Sequence, residues 1–147
     1  MPDLTSVRLV SGLGGAFLFS ARPKELAGWY AAHLGFAFEG DGESTFYQVF
    51  FALDPERPDR KLDTHFGIMR ANEDFARPAP AEEPDSMYGD QPFMLNVRTD
   101  DLDALIARLE AGGVAVLQRQ DESYGRFAWV RDPDGNRVEL YQPLAAP

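Results

Sequence analysis

The chain contains no cysteine. That excludes a disulfide framework, a thiol nucleophile and thiolate metal ligands. It also fits a reducing compartment, so a cytoplasmic protein is expected. Histidine is nearly as scarce, with only His33 and His65. No apolar run approaches the roughly 20 residues that span a bilayer, so no membrane partner is expected. Residues Met1 to Leu18 lack a basic segment followed by a long apolar stretch, and no secretory leader is expected. Basic residues are outnumbered, 14 against 24 acidic ones, for a net charge of −10. Such a surface repels phosphate backbones and argues against a nucleic-acid partner. It serves solubility, or attracts a cationic ligand.

Aromatic residues are plentiful. Eleven Phe point to a core or cavity lined by rings as well as aliphatics. Ala16–Ser20 reads as a short buried strand. Pro23 can open a helix, and Leu26, Trp29, Tyr30, His33 and Leu34 follow at spacings that give one apolar face. Gly35 suits a left-handed cap. Strands are expected at Phe36–Glu39, Thr45–Leu53 and Leu62–Arg70. Residues Ala71–Pro92 differ, with four prolines and five acids between Glu73 and Asp85, and read as a linker or lid. The pattern then restarts. Phe93–Arg98 reads as a strand. A helix capped by Asp100 or Asp101 runs through Glu110 to the stop at Gly112-Gly113. Strands follow at Val114–Leu117, Arg126–Arg131 and Arg137–Tyr141, with a turn at Asp132-Pro133-Asp134-Gly135.

The order β-α-β-β-β therefore occurs twice. Phe17-Leu18-Phe19 matches Leu95-Asn96-Val97. Leu34–Phe38 matches Gly112–Val116, and Leu53–Glu56 matches Arg131–Asp134. All lie 78 positions apart, which argues for duplication. The expected fold is α+β in a single domain of 1–147. Module one spans about 15–70, the linker 71–92 and module two 93–143, by repeat spacing. Two curved sheets, each with a helix on one face, would enclose a cavity where equivalent positions converge.

Tyr124-Gly125-Arg126-Phe127-Ala128-Trp129 leads into Asp132-Pro133-Asp134-Gly135-Asn136-Arg137-Val138-Glu139-Leu140-Tyr141. Trp29-Tyr30 precedes Leu34-Gly35-Phe36. In these motifs, over most of its length, the chain resembles the vicinal oxygen chelate (glyoxalase/bleomycin resistance protein/dioxygenase) superfamily. The resemblance implies two βαβββ modules around a pocket and a small-molecule ligand, and commonly a homodimer. Its activities range from isomerases, lyases and dioxygenases to drug-binding proteins, so function rests on the site.

The metal-dependent relatives hold one divalent ion with His and Glu from the first and last strands of each module. By that resemblance, the last-strand ligand falls on Glu139 and its symmetric partner on His65. The first-strand positions fall on Gly15 and on Phe93 or Met94, which supply no suitable donor. A divalent metal held by His65 and Glu139 would therefore have an incomplete set. Each candidate also has an ordinary reading: Glu139 as a carboxylate paired with Arg98 or Arg137, and His65 as a satisfied strand residue. Tyr124 could orient substrate through its hydroxyl or cap the sheet. Tyr47, Gln48, Asn96 and Arg98 are candidate polar contacts, subject to strand alternation. Phe17 and Trp129 are stacking candidates that serve equally well as core.

Two functions follow. In a glyoxalase-like lyase or isomerase, or a dioxygenase-like member with a degenerate metal site, Glu139 acts as base and His65 polarises an oxygen. In a non-enzymatic binding protein of the bleomycin-resistance kind, an aromatic, acidic cleft holds a planar or cationic compound.

Overall fold

In the computed structural model the described residues are 9–73 and 91–144. Most of the acidic linker lies outside them, and with it the reading of that segment as a lid. The elements are β1 (Gly15–Ser20), α1 (Pro23–Trp29), β2 (Glu39–Gly40), β3 (Thr45–Leu53), β4 (Lys61–Arg70), β5 (Leu95–Arg98), α2 (Leu102–Ala111), β6 (Gln118–Glu122), β7 (Gly125–Arg131) and β8 (Arg137–Pro143). They form two four-stranded sheets of identical order, β1-β4-β3-β2 and β5-β8-β7-β6. In each, the outer pair β1/β4 or β5/β8 is parallel and the rest antiparallel. The duplicated α+β architecture is thus present, with the two sheets not closed on each other. Among the described residues no helix is long and apolar enough to cross a membrane.

Local chemistry accounts for most boundaries. Pro23 sits in the first turn of α1, where its missing N–H leaves no bond unmade. The helix continues as one π-helical turn, Tyr30–Leu34, and stops at Gly35 with φ 78°. Asp101 caps α2 by accepting from Ala104 N at 3.0 Å, satisfying one of the free N–H groups of the first turn.

Two strands differ from expectation. Phe36–Phe38 packs rings against the core instead of pairing, leaving only Glu39–Gly40 in the sheet. Val114–Leu117 is not a strand. Val114 and Val116 pack into the core, and regular pairing occupies the next residues, Gln118–Glu122. This polar strand is an edge, secured from the helix side by Arg119 and Arg126 on Asp103 at 2.8 and 3.0 Å. Apolar content misleads here because an edge strand needs backbone partners more than buried side chains.

The core lies between the helices and one face of each sheet. Leu18, Phe66 and Ile68 from module one, and Ala128, Val130, Val138 and Leu140 from module two, are buried with Leu26, Tyr30, Leu102, Ile106 and Leu109. Each such side chain contributes roughly 1.5–3 kcal/mol on burial. The modules meet in this helical layer. Tyr30 donates to Asp132 Oδ2 at 2.8 Å, and Arg108 to the Ala32 carbonyl at 2.9 Å. His33 fills the space over Gly112, where a Cβ would come within 2.8 Å of the imidazole.

Candidate functional site

Alternation along the strands leaves the other face of each sheet open. On sheet one that face carries Phe17, Phe19, Tyr47, Val49, His65, Gly67 and Met69. A pocket of about 220 Å³ lies there, lined by Phe17, Thr45, Phe46, Tyr47, Val49, His65, Gly67 and Met69. The Phe17 ring lies over Gly67, where any Cβ would approach it to 2.6 Å. All the lining residues come from module one, so this pocket is not the one expected between modules.

The open face of sheet two is built from cross-strand rows. Asn96, Glu139, Trp129 and Gln118 form one row. Arg98, Tyr141, Phe127 and Gln120 form the next. Phe127 stacks on Tyr141 at 5.0 Å and on Trp129 at 6.3 Å, each pair 15° from parallel. Tyr124, in the turn before β7, meets Phe127 edge-on at 5.7 Å. Asn96 donates its amide to Glu139 Oε2 at 2.6 Å. Trp129 is buried, and its indole N–H meets no acceptor among the described residues, an omission worth about 1–3 kcal/mol in a dry setting.

The sequence-derived candidates therefore fall into two groups. Phe17, Tyr47 and His65 come together on sheet one. Asn96, Arg98, Trp129 and Glu139 come together on sheet two, with Tyr124 at its rim. Gln48 joins neither. It lies on the helix side of β3, where its Oε1 accepts from Ala37 N at 2.9 Å. Phe127 and Tyr141 complete the aromatic run and were not singled out by sequence. The alternation of Phe127-Ala128-Trp129-Val130 and of Glu139-Leu140-Tyr141 was the available signal.

The structure also revises the symmetry between modules. A constant spacing of 78 sets Leu18 against Asn96, yet Leu18 is buried and Asn96 exposed. Matching the core-facing pairs Leu18–Ile68 and Val97–Leu140 restores agreement. On that register Asn96 corresponds to Phe17, Glu139 to Gly67 and Trp129 to Tyr47. His65 lies one row away from the position equivalent to Glu139.

The donor set does not fit a four-ligand metal centre. Gly15 has φ 151°, and a Cβ there would lie 2.0 Å from the His65 carbonyl, so that position takes no side chain. Phe93 and Met94 precede β5 and offer no suitable group. His65 Nε2 is 3.2 Å from Asp63 on its own strand, and Glu139 is held by Asn96. Among the described residues no three His, Asp or Glu gather where they could share an ion.

A buried polar knot lies beneath this site. Asp132 Oδ1 accepts from the backbone N–H of Asp134 and Asn136, at 3.0 and 2.9 Å. Its Oδ2 accepts from Asn136 Nδ2 and from Tyr30, both at 2.8 Å. Burial raises the Asp132 pKa despite these bonds. Burial, and then the neighbouring carboxylate, push the Tyr30 hydroxyl well above its ordinary value.

Comparison with known proteins agrees with this architecture. The glyoxalase-like domain matches residues 16–141, and the chain belongs to that family. No curated protein matches it. Among solved structures, TioX from Micromonospora sp. ML1 is 18% identical with a TM-score of 0.59, covering 91% of this chain and 100% of its own. TnmS3, an antibiotic binding protein from Streptomyces sp. CB03234, is 23% identical with a TM-score of 0.58, covering 94% and 100%. A virulence protein from Salmonella typhimurium is 15% identical with a TM-score of 0.63, covering 93% and 100%. At these identities the likeness establishes the fold.

Proposed function

We propose that this protein is a cytoplasmic, non-catalytic binding protein that holds a planar aromatic small molecule on the open faces of its sheets. The stacked pair Phe127 and Tyr141, half-buried on that face and backed by the buried Trp129, carries the reading, because parallel rings with open area offer a stacking surface. The apolar pocket against Phe17 and Tyr47 provides a second such surface. TnmS3, which shares the fold, is an antibiotic binding protein. No metal ion enters the reading, since Gly15, Phe93 and Met94 supply no suitable donor and His65 and Glu139 lie on different sheets.

The test is titration of chelator-treated protein with 2-naphthamide, followed by tryptophan fluorescence. Saturable binding is expected, weakened about three- to tenfold by Phe127→Ala. Absence of binding would sink the reading. So would turnover of a 2-oxoaldehyde–thiol adduct that Glu139→Gln abolishes, since a non-catalytic protein has no such turnover to lose.

The open faces also need cover. Phe17, Phe19, Phe51 and Leu53 are 47%, 48%, 63% and 64% exposed, more apolar surface than a monomer usually presents together. A second copy is the proposed cover, giving a homodimer with the ligand enclosed. Sedimentation equilibrium should return twice the chain mass, and a monomer at micromolar concentration would remove this part of the proposal.

A further inference from the structure

The pair Asn96 and Glu139 has unused capacity. The register of β5 on β8 places them side by side on the open face of sheet two. One amide hydrogen bond, Asn96 Nδ2 to Glu139 Oε2 at 2.6 Å, fixes both side chains. That bond uses one of the two amide N–H groups of Asn96 and one oxygen of Glu139. Asn96 Oδ1 and Glu139 Oε1 retain their acceptor capacity, with no hydrogen bond to another described residue. Two acceptors on adjacent strands, one of them ionised, suit a forked pair of N–H donors on a cation. The half-buried rings of Phe127 and Tyr141 lie one row along from Glu139, so a ring attached to that cation would reach them. Guanidinium groups share this face: Arg98, one row along beside Tyr141, and the buried Arg137, on the other side of Glu139 with its guanidinium 5.9 Å from the Trp129 ring centroid. Both favour an anion, so a cation preference has to come from the Asn96–Glu139 pair itself.

We infer that Asn96 and Glu139 together form a specificity element for an organic cation with paired N–H donors, an amidinium or guanidinium carried on an aromatic ring. This rests on the aromatic-binding reading above and adds the ligand's polar group to it. The residue that would ligate a metal in metal-dependent relatives here meets a molecular cation.

Three probes sharing one ring separate the two ideas: 2-naphthamidine, neutral 2-naphthamide and anionic 2-naphthoate, each titrated into the intact protein. The amidinium is expected to bind about tenfold tighter than the naphthoate, as a partly exposed charge-assisted pair allows. Glu139→Gln should erase that gap, and Asn96→Leu should narrow it, while both retain 2-naphthamide binding. Equal affinities on the unmodified protein, or tighter naphthoate binding through Arg98, overturn the inference and leave the aromatic reading standing. An amidinium preference that survives Glu139→Gln in a protein still binding 2-naphthamide also overturns it. Failure of all three probes overturns both readings. The ranking on the unmodified protein decides the matter even where a variant does not fold.

Discussion

The two modules carry the same turn in opposite settings. Leu53-Asp54-Pro55-Glu56 and Arg131-Asp132-Pro133-Asp134 look alike, and each Asp accepts from the backbone two residues on. Asp54 does so in a partly exposed loop. Asp132 is 5% exposed and accepts three more hydrogen bonds, one of them from Tyr30 of the other module. A turn motif therefore specifies its own backbone and leaves its role to whatever packs over it. Here the π turn of module one covers the second copy of the motif, and among the described residues nothing equivalent covers the first.

The largest expected effect separates these two aspartates. Asp132→Ala leaves the Tyr30 hydroxyl, the Asn136 amide and two backbone N–H groups without their acceptor. It should cost about 3–5 kcal/mol in urea unfolding. Asp54→Ala should cost under about 1 kcal/mol, as loss of one exposed turn bond. Equal losses would erase the distinction between the turns.

Tyr30→Phe makes a smaller and sharper probe, with a loss of about 1–2 kcal/mol near neutral pH. Its pH dependence has a definite sign. The folded-state pKa of Tyr30 lies above the unfolded value, so its contribution is complete below about pH 10 and declines as pH rises beyond that. The stability difference between wild type and Tyr30→Phe should therefore stay constant up to about pH 10 and shrink above it. Asp132 acts in the same sense at the other end. Its raised pKa favours the protonated folded form, so its own titration adds stability as pH falls through its folded value. A difference that grew in alkali would mean that the hydroxyl is not held as described.

Much of the fold was legible because its signals are local. Pro23, Gly35, Asp101 and the Asp132–Gly135 turn each fix backbone geometry through their own chemistry, and the duplicated element order followed from them. Register was harder. The spacing of 78 holds at the helix ends and the turns, yet fails in the first strand, where a one-residue slip exchanges the two faces. That slip sets Gly15 against Phe93, where the paired strands match it to Met94. Gln48 failed for the same reason, since residue type does not reveal which way a strand residue points. The polar strand Gln118–Glu122 had no apolar alternation to announce it.

Both sheets place an aromatic ring on a glycine. Phe17 covers Gly67, and Tyr141 covers Gly125, where an added Cβ would come within 2.5 Å of the ring. Each ring thus lies flush with the backbone, lower than it could above any other residue. The height of each ring above its sheet is consequently set by a missing methyl group. An alanine at either place would lift the ring and reshape that face without altering a single polar contact.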